Sequence, residues 1–245
     1  MELFFDMLRS IVYGVIEGVT EWLPISSTGH MILAEQVLKF SLSAEFMEMF
    51  RVVIQLGAIL AVVVLYFKKL WPFCSDNGRD SGLARHIRWP VMRLWGKILV
   101  ACLPAAVLGL LLDDWMDAHL YNSVVVAIML IVYGVAFILI ERRPRVPTTT
   151  KLSRITYKQA IIVGAWQVLA LIPGTSRSGS TILGGMLCGM SRPAASQFTF
   201  FLAIPVMAGA SLLKLVKFFG KGNSFTLDQT VVLIVGCAVA FIVSI

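Results

Sequence analysis

Two apolar stretches of this chain each stop at a proline, pass through a short polar patch and turn apolar again. The first runs from about 8 to 23, carries Glu17 and Glu21, and halts at Pro24. It continues through Ser26, Ser27, Thr28, Gly29 and His30 into a second apolar piece ending near 38. The second stretch runs from about 161 to 172 and halts at Pro173. It then passes through Gly174, Thr175, Ser176, Arg177, Ser178, Gly179, Ser180 and Thr181 into a short apolar piece reaching Met190. None of these pieces has the roughly 20 clean residues that a helical span needs. Non-helical backbone at membrane depth is tolerated only where it is buried in protein or lines a cavity. Each stretch is therefore expected to be a broken or re-entrant helix hairpin.

That argument presumes a bilayer, and composition supports it. The 245 residues are 58% hydrophobic and 14% charged, against about 25% charged in an ordinary soluble domain. Uninterrupted apolar segments lie at about 52–67, 98–112, 123–140 and 198–213, and a last one from about 230 is still apolar at 245, so the chain is expected to be truncated there. Pro104 falls inside the second of these and is expected to kink it. The fold class expected is an all-α polytopic membrane protein with two broken hairpins and about five to six full spans, forming a single membrane domain over 1–245.

Charge orients it. The net charge is +7, and the basic residues cluster in two loops. One holds Lys68, Lys69, Arg79, Arg85, Arg88, Arg93 and Lys97 beside Asp76 and Asp80, and the other Arg142, Arg143, Arg145, Lys151, Arg154 and Lys158. The loop between holds Asp113, Asp114 and Asp117 without Lys or Arg. Excess Lys and Arg mark cytoplasmic loops, so the acidic loop, the stretch around 39–48 and the N-terminus are expected outside. Lys214, Lys217 and Lys221 weigh against this orientation. Trp71, Trp89, Trp95 and Trp115 stand near span ends, as interfacial anchors do. No nucleic-acid partner is expected. The four cysteines (Cys74, Cys102, Cys188, Cys237) form no metal or redox pattern. No cleaved signal peptide is expected, because no basic segment precedes the first apolar run.

The two interrupted stretches align. Gly14 and Glu17 match Gly164 and Gln167; Pro24, Ser26 and Gly29 match Pro173, Ser176 and Gly179. Three spans lie between the copies, so the second enters from the opposite face. This is an inverted-topology repeat, with repeat one at about 1–112, repeat two at about 159–245 and a linking span at about 123–140. Paired interruptions of this kind point to a central site.

Ionisable residues inside membrane segments are costly and mark function by default. Glu17 and Glu21 are four apart and share a helix face, so a proton, an arginine or a cation must separate their charges. Mg²⁺ or Ca²⁺ suits carboxylate oxygens. Ser27 and His30 are three apart, and an imidazole can take a hydroxyl proton; Ser26 or Ser27 can cap the helix that follows. His86 and His119 lie in charged loops and are read as solvated. Arg177, flanked by Gly174 and Gly179 among hydroxyl residues, suits a phosphate: its guanidinium is a planar fork, and the helix after it favours negative charge. Arg177 also suits neutralising Glu17 or Glu21. No Walker lysine is present.

The run from Glu17 through Glu21, Pro24 and Ser27 to His30, and the run Pro173 to Gly179 around Arg177, resemble the two signature motifs of the undecaprenyl-diphosphate phosphatase family of the bacitracin-resistance type. The resemblance extends to Val53, Gln55 and Gly57 and to Ser191, Arg192 and Ala194 to Ser196. It implies a bacterial inner-membrane enzyme, open toward the periplasm, that converts undecaprenyl diphosphate to undecaprenyl phosphate and phosphate. That step recycles the lipid carrier of cell-wall synthesis. Catalytic roles are implied for Ser27, His30, Glu21, Glu17 and Arg177. Substrate contacts are implied for Arg177, Ser26, Ser176, Thr181, Gly174, Gly179 and Gln55. Glu17 and Glu21 are implied as ligands of the divalent cation, Mg²⁺ or Ca²⁺. Expected partners are undecaprenyl diphosphate and membrane lipid, with a homodimer left open. The sequence departs from the family at Arg51, where an acidic residue is expected, and after Ile245, where the family has a further apolar segment. Type 2 phosphatidic acid phosphatases need a second His where Leu183 stands and are set aside.

The expected mechanism has Arg177 hold the diphosphate while Ser27 attacks the terminal phosphorus with His30 as base. His30 as direct nucleophile is the rival assignment. A second function class, a transporter or flippase of a polyprenyl phosphate carrier, is compatible with the same inverted repeat.

Overall fold

In a bilayer an apolar segment has to close its own backbone hydrogen bonds, and a helix does this locally. In the computed structural model, which describes residues 1–75, 86–142 and 146–245, the regular structure is correspondingly helical. Two isolated bridges, Phe73 with Ile87 and Thr149 with Met190, are the exceptions among the described residues. Arg79, Arg85, Asp76 and Asp80 of the first basic loop, and Arg143 and Arg145 of the second, lie outside the described residues. The helices are α1 (Glu2–Thr20), α2 (Ser27–Glu35), α3 (Ala44–Val53), α4 (Gln55–Leu65), α5 (Phe67–Leu70), α6 (Trp89–His119), α7 (Ser123–Glu141), α8 (Tyr157–Gln167), α9 (Arg177–Leu187), α10 (Arg192–Gly220) and α11 (Leu227–Ser244).

Five segments are long and apolar enough to cross a membrane: Ala44–Leu65, Trp89–Leu112, Ser123–Glu141, Arg192–Gly220 and Leu227–Ser244. They correspond to the five uninterrupted segments of the sequence, though each helix extends further. α6 runs from Trp89 through Pro104 to His119 as one helix. The first span carries a discontinuity the apolar pattern did not predict. It divides into α3 and α4 at Ile54, where the Gly57 amide donates to the Ile54 carbonyl at 3.0 Å, and Gln55 opens the second piece.

Small residues set which helices touch. α1 and α11 run side by side in parallel: Ser10 donates to the Val232 carbonyl at 2.6 Å, and Ser244 donates to the Gly18 carbonyl at 3.2 Å. A Cβ on Gly14 would stand 2.7 Å from that of Val239, so only hydrogen fits between the two backbones. The core has two clusters. Tyr13, Met31, Phe46 and Phe50 pack with Phe218, Val232 and Ala240. Val62, Ile98 and Ala101 pack with Val163, Ile182, Phe198 and Phe201. Each cluster joins early helices to late ones, so the two halves interleave.

The outward faces are apolar. α7 buries only Val126 and Tyr133, and it exposes Val124, Ile128, Ile131, Val135 and Ile138. Such a surface suits hydrocarbon and not water. At one end, two of the three lysines that opposed the predicted orientation meet acids: Lys214 pairs with Glu48 at 2.8 Å and Lys217 with Asp114 at 2.7 Å. Trp71, Trp89 and Trp115 are exposed, while Trp95 turns inward and donates its indole N–H to the Leu70 carbonyl at 2.8 Å.

Candidate active site

Both breaks rebuild a helix by the same local chemistry. After Pro24 the chain turns at Ser26, whose φ of 63° is unusual for a non-glycine residue. The Ser26 hydroxyl then accepts the Gly29 amide at 3.2 Å and caps α2. After Pro173 the turn falls on Gly174 at φ 86°, and the Ser176 hydroxyl accepts the Gly179 amide at 3.0 Å to cap α9. The breaks touch each other: Ser178 donates to the Leu23 carbonyl at 3.1 Å.

This contact brings Arg177 to Glu21. Both side chains are 7% exposed and form an ion pair through Arg177 Nη2 and Glu21 Oε1. Arg177 Nη1 donates to the Thr199 carbonyl of α10 at 3.3 Å. The other carboxylate oxygen of Glu21 accepts the Ser27 hydroxyl at 2.7 Å. Guanidinium, carboxylate and hydroxyl thus form one chain across the two breaks. Removing one partner of a buried pair costs about 3–5 kcal/mol, because the other charge is left without compensation.

The chain opens into a cavity of about 170 Å³, lined by residues of both breaks and of α4, α6 and α10. Glu21, Ser26, Ser27, Gln55, Gly174, Ser176 and Arg177 line it, as expected of a shared site. Gln55 donates to Thr28 at 3.2 Å and to the Arg51 carbonyl at 3.0 Å, tying α2 to the first span. Arg51, the departure from the family pattern, pairs with Glu35 of α2 at 2.7 Å.

Four expected residues stand outside the lining. His30 is partly buried, and its Nδ1 lies 2.8 Å from the Ser26 carbonyl. A carbonyl only accepts, so Nδ1 carries the proton there. No hydrogen bond joins Ser27 to His30; the hydroxyl goes to Glu21 instead, because the turn at Ser26 swings the start of α2 toward the end of α1. Thr181 donates to the Arg177 carbonyl at 2.9 Å and accepts from Thr199 at 2.9 Å, bracing the backbone behind the arginine. Gly179 serves the cap, where a Cβ would come within 2.9 Å of that of Ser176. Glu17 is fully buried, and neither carboxylate oxygen has a hydrogen-bond partner.

For a divalent cation the donor set is two carboxylates, one unpartnered and one already engaged. Among the described residues no group of three or more His, Cys, Asp and Glu could hold a metal ion. Two carboxylates fit a hard cation whose remaining positions come from water and substrate phosphate oxygens, the usual situation for Mg²⁺.

The cavity also takes in Thr20, Thr28, Tyr121, Gln167 and Thr175, which were not among the expected contacts. Gln167 carried a signal, since it is the counterpart of Glu17 in the repeat. Tyr121 carried none, because it follows α6 in a turn far from either motif.

Comparison with known proteins places the sequence in a family. A family model described as "Bacitracin resistance protein BacA" matches residues 10–245. A curated relative named undecaprenyl-diphosphatase, from Enterococcus faecalis (strain ATCC 700802 / V583), is 59% identical over 245 residues, covering 99% of this chain and 87% of the relative. A protein of the same name from Lactococcus lactis subsp. cremoris (strain SK11) is 56% identical over 98% of this chain and 85% of its own. Another from Streptococcus mutans serotype c is 54% identical over 99% and 85%.

Proposed function

We propose that this chain, which belongs to the bacitracin resistance protein BacA family, hydrolyses undecaprenyl diphosphate to undecaprenyl phosphate and inorganic phosphate, recycling the lipid carrier of cell-wall synthesis. The observation that carries the reading is the buried Arg177–Glu21–Ser27 chain, assembled from two helix breaks at a cavity inside an apolar helical body. The names of its relatives agree with it.

Arg177 supplies positive charge in a fork that matches phosphate oxygens. When the diphosphate enters, its oxygens compete with Glu21 for the guanidinium, and Glu21 is released to act as base. Ser27 Oγ bonds to the terminal phosphorus while the bridging P–O bond breaks, and that electron pair leaves on the oxygen of undecaprenyl phosphate. The Ser27 proton passes along the existing 2.7 Å hydrogen bond to Glu21. Water then attacks the phosphoserine: its hydroxyl stays on phosphorus, the P–Oγ bond breaks, its second proton goes to Ser27 Oγ, and Glu21 gives up the proton it took in the first step to the departing phosphate. His30 holds the Ser26 carbonyl and so the start of α2, a positioning role in place of the base role expected from spacing. Glu17 and Glu21 are the side chains that would hold a divalent cation. Bound there, it supplies charge that neutralises the diphosphate oxygens.

The site belongs to a multi-pass membrane protein, and we place it in the bacterial inner membrane, opening toward the outside. Tyr121, just past the acidic last turns of α6, lines the cavity, whereas the sequence places the excess of Lys and Arg in the loops after the first span and after α7.

The test is phosphate release from undecaprenyl diphosphate by the purified protein in detergent, where no two-sided membrane exists. Release is expected; tight binding without release would favour the carrier function. Chelator should lower the rate and added Mg²⁺ or Ca²⁺ restore it, and a rate indifferent to chelator removes the cation from the scheme. Mapping a trapped phosphoryl group to Ser27 supports the covalent route. Finding it on His30 reverses the two roles, and finding none leaves direct attack by water.

A further inference from the structure

Three polar groups at one wall of the cavity have no protein partner. Neither the amide nitrogen nor the amide oxygen of Gln167 is hydrogen-bonded, although the residue is only 1% exposed. The Thr175 hydroxyl and Arg177 Nε are likewise buried and unpartnered. All three residues line the cavity. A buried donor without an acceptor is unfavourable, so several lining one cavity point to an acceptor-rich ligand.

The same wall adjoins a second, apolar cavity of about 290 Å³ between α6 and α10. Leu171, Ala105, Val206 and Ala210 line both cavities. Leu171 lies one turn beyond Gln167 and just before Thr175, at the end of the short 3-10 turn Val168–Leu171. The groove is floored by small residues, Gly109 and Gly209 among them, and reaches the outer face at Leu110, which is 68% exposed.

We infer that Gln167 and Thr175 bind the phosphate that stays on the lipid, and that the prenyl chain leaves the site through the groove between α6 and α10. This rests on reading the cavity as the diphosphate site. It gives the substrate one direction: terminal phosphate toward Ser27 and Glu21, ester phosphate toward Gln167, tail past Leu171. The repeat counterparts differ in the sense this requires. Glu17 is a carboxylate buried behind Glu21, outside the cavity lining, on the side where a cation would be held. Gln167 is a neutral amide, able to donate to a phosphate that a carboxylate would repel.

The test compares two ligands that share one product each. Farnesyl phosphate carries the retained phosphate and a short tail; inorganic phosphate stands for the group that leaves. Binding of each is measured directly by calorimetry on the purified protein and on Gln167→Met, a near-isosteric change that removes both donors. The Kd for farnesyl phosphate is expected to rise roughly 10-fold or more, the loss of a hydrogen bond to a charged group, with the Kd for inorganic phosphate unchanged. Equal weakening of both, or weakening for inorganic phosphate alone, overturns the assignment. Thr175→Val carries the same comparison if Gln167→Met does not fold. Phosphate release by the unaltered protein is recorded alongside. Its absence defeats the proposed reaction, whereas an unchanged farnesyl phosphate Kd defeats only the role of Gln167 and Thr175. Filling the groove with Gly209→Leu, where an added Cβ meets nothing within 4 Å, should lower hydrolysis of undecaprenyl relative to farnesyl diphosphate. An unchanged ratio would put the tail elsewhere.

Discussion

Two of the three nitrogens of Arg177 have protein partners, and the geometry of both matters. Nη2 meets Glu21 and Nη1 meets the Thr199 carbonyl, leaving Nε buried without a partner. A lysine keeps the charge that Glu21 needs but not the fork. Arg177→Lys should therefore fold with near-normal thermal stability and lose hydrolysis by about 100-fold or more, the scale of one electrostatic donor lost from a reacting centre. Near-normal turnover would contradict the clamp. The Ser27–Glu21 hydrogen bond sets a second expectation. His30→Asn retains an amide donor for the Ser26 carbonyl, so its turnover should fall far less than that of Ser27→Ala. If His30 is instead the base or nucleophile, the asparagine variant should lose roughly 10²–10⁴ in rate. At this scale the members of the candidate site were legible in the sequence, since carboxylate, serine, histidine and arginine in apolar surroundings are conspicuous. Their pairing was not. It depends on one positive φ at Ser26, which no spacing rule encodes, and a three-residue offset suggested Ser27 with His30.

The elements follow the apolar pattern closely where propensity and proline agree. α1 ends at Thr20 and the 3-10 turn after α8 at Leu171, a few residues before Pro24 and Pro173, and Ser26 and Ser176 cap the helices that follow, whereas Pro104 and Pro205 lie inside long helices. The discontinuity at Ile54 escaped the pattern because both sides of it are apolar and the local dihedrals stay helical. Close packing depends on positions that look unremarkable in sequence. A Cβ on Gly57 would run into the Cys237 carbonyl of α11, while one on Gly134 of α7 would meet nothing within 4 Å. Gly57→Ala should lower stability by about 1–3 kcal/mol, the usual cost of overpacking. Gly134→Ala should be neutral or stabilising by up to about 1 kcal/mol through helix propensity. Thermal unfolding of both variants in one detergent checks the contrast, and equal effects would mean that α4 and α11 are not packed backbone to backbone.

At the scale of the whole molecule, the side we propose for the cavity rests on charge and path together. α1 runs parallel to α11, so Met1 lies at the end where α11 begins, and α2 returns toward that end from the first break. The lysines of α10 lie there as well, but Glu48 and Asp114 pair with two of them and blunt the cytoplasmic signal that three lysines alone would carry. That compensation was invisible in a linear count, because its partners stand 103 and 166 residues away. At the other end Arg192 pairs with Glu141 at 2.8 Å, and Thr149 donates its amide to the Gly189 carbonyl at 3.0 Å, fixing the second basic loop beside the start of α10. The orientation we propose rests on the excess of Lys and Arg that the sequence places in that loop and in the one before α6. Ser224 and Ser153 are exposed at opposite ends, so each can report as a single cysteine once Cys74, Cys102, Cys188 and Cys237 are replaced. In intact cells a membrane-impermeant thiol reagent should label Ser224→Cys and spare Ser153→Cys until the membrane is opened. The reverse pattern would turn the cavity to the cytoplasm, and the carrier would then be dephosphorylated on the inner side.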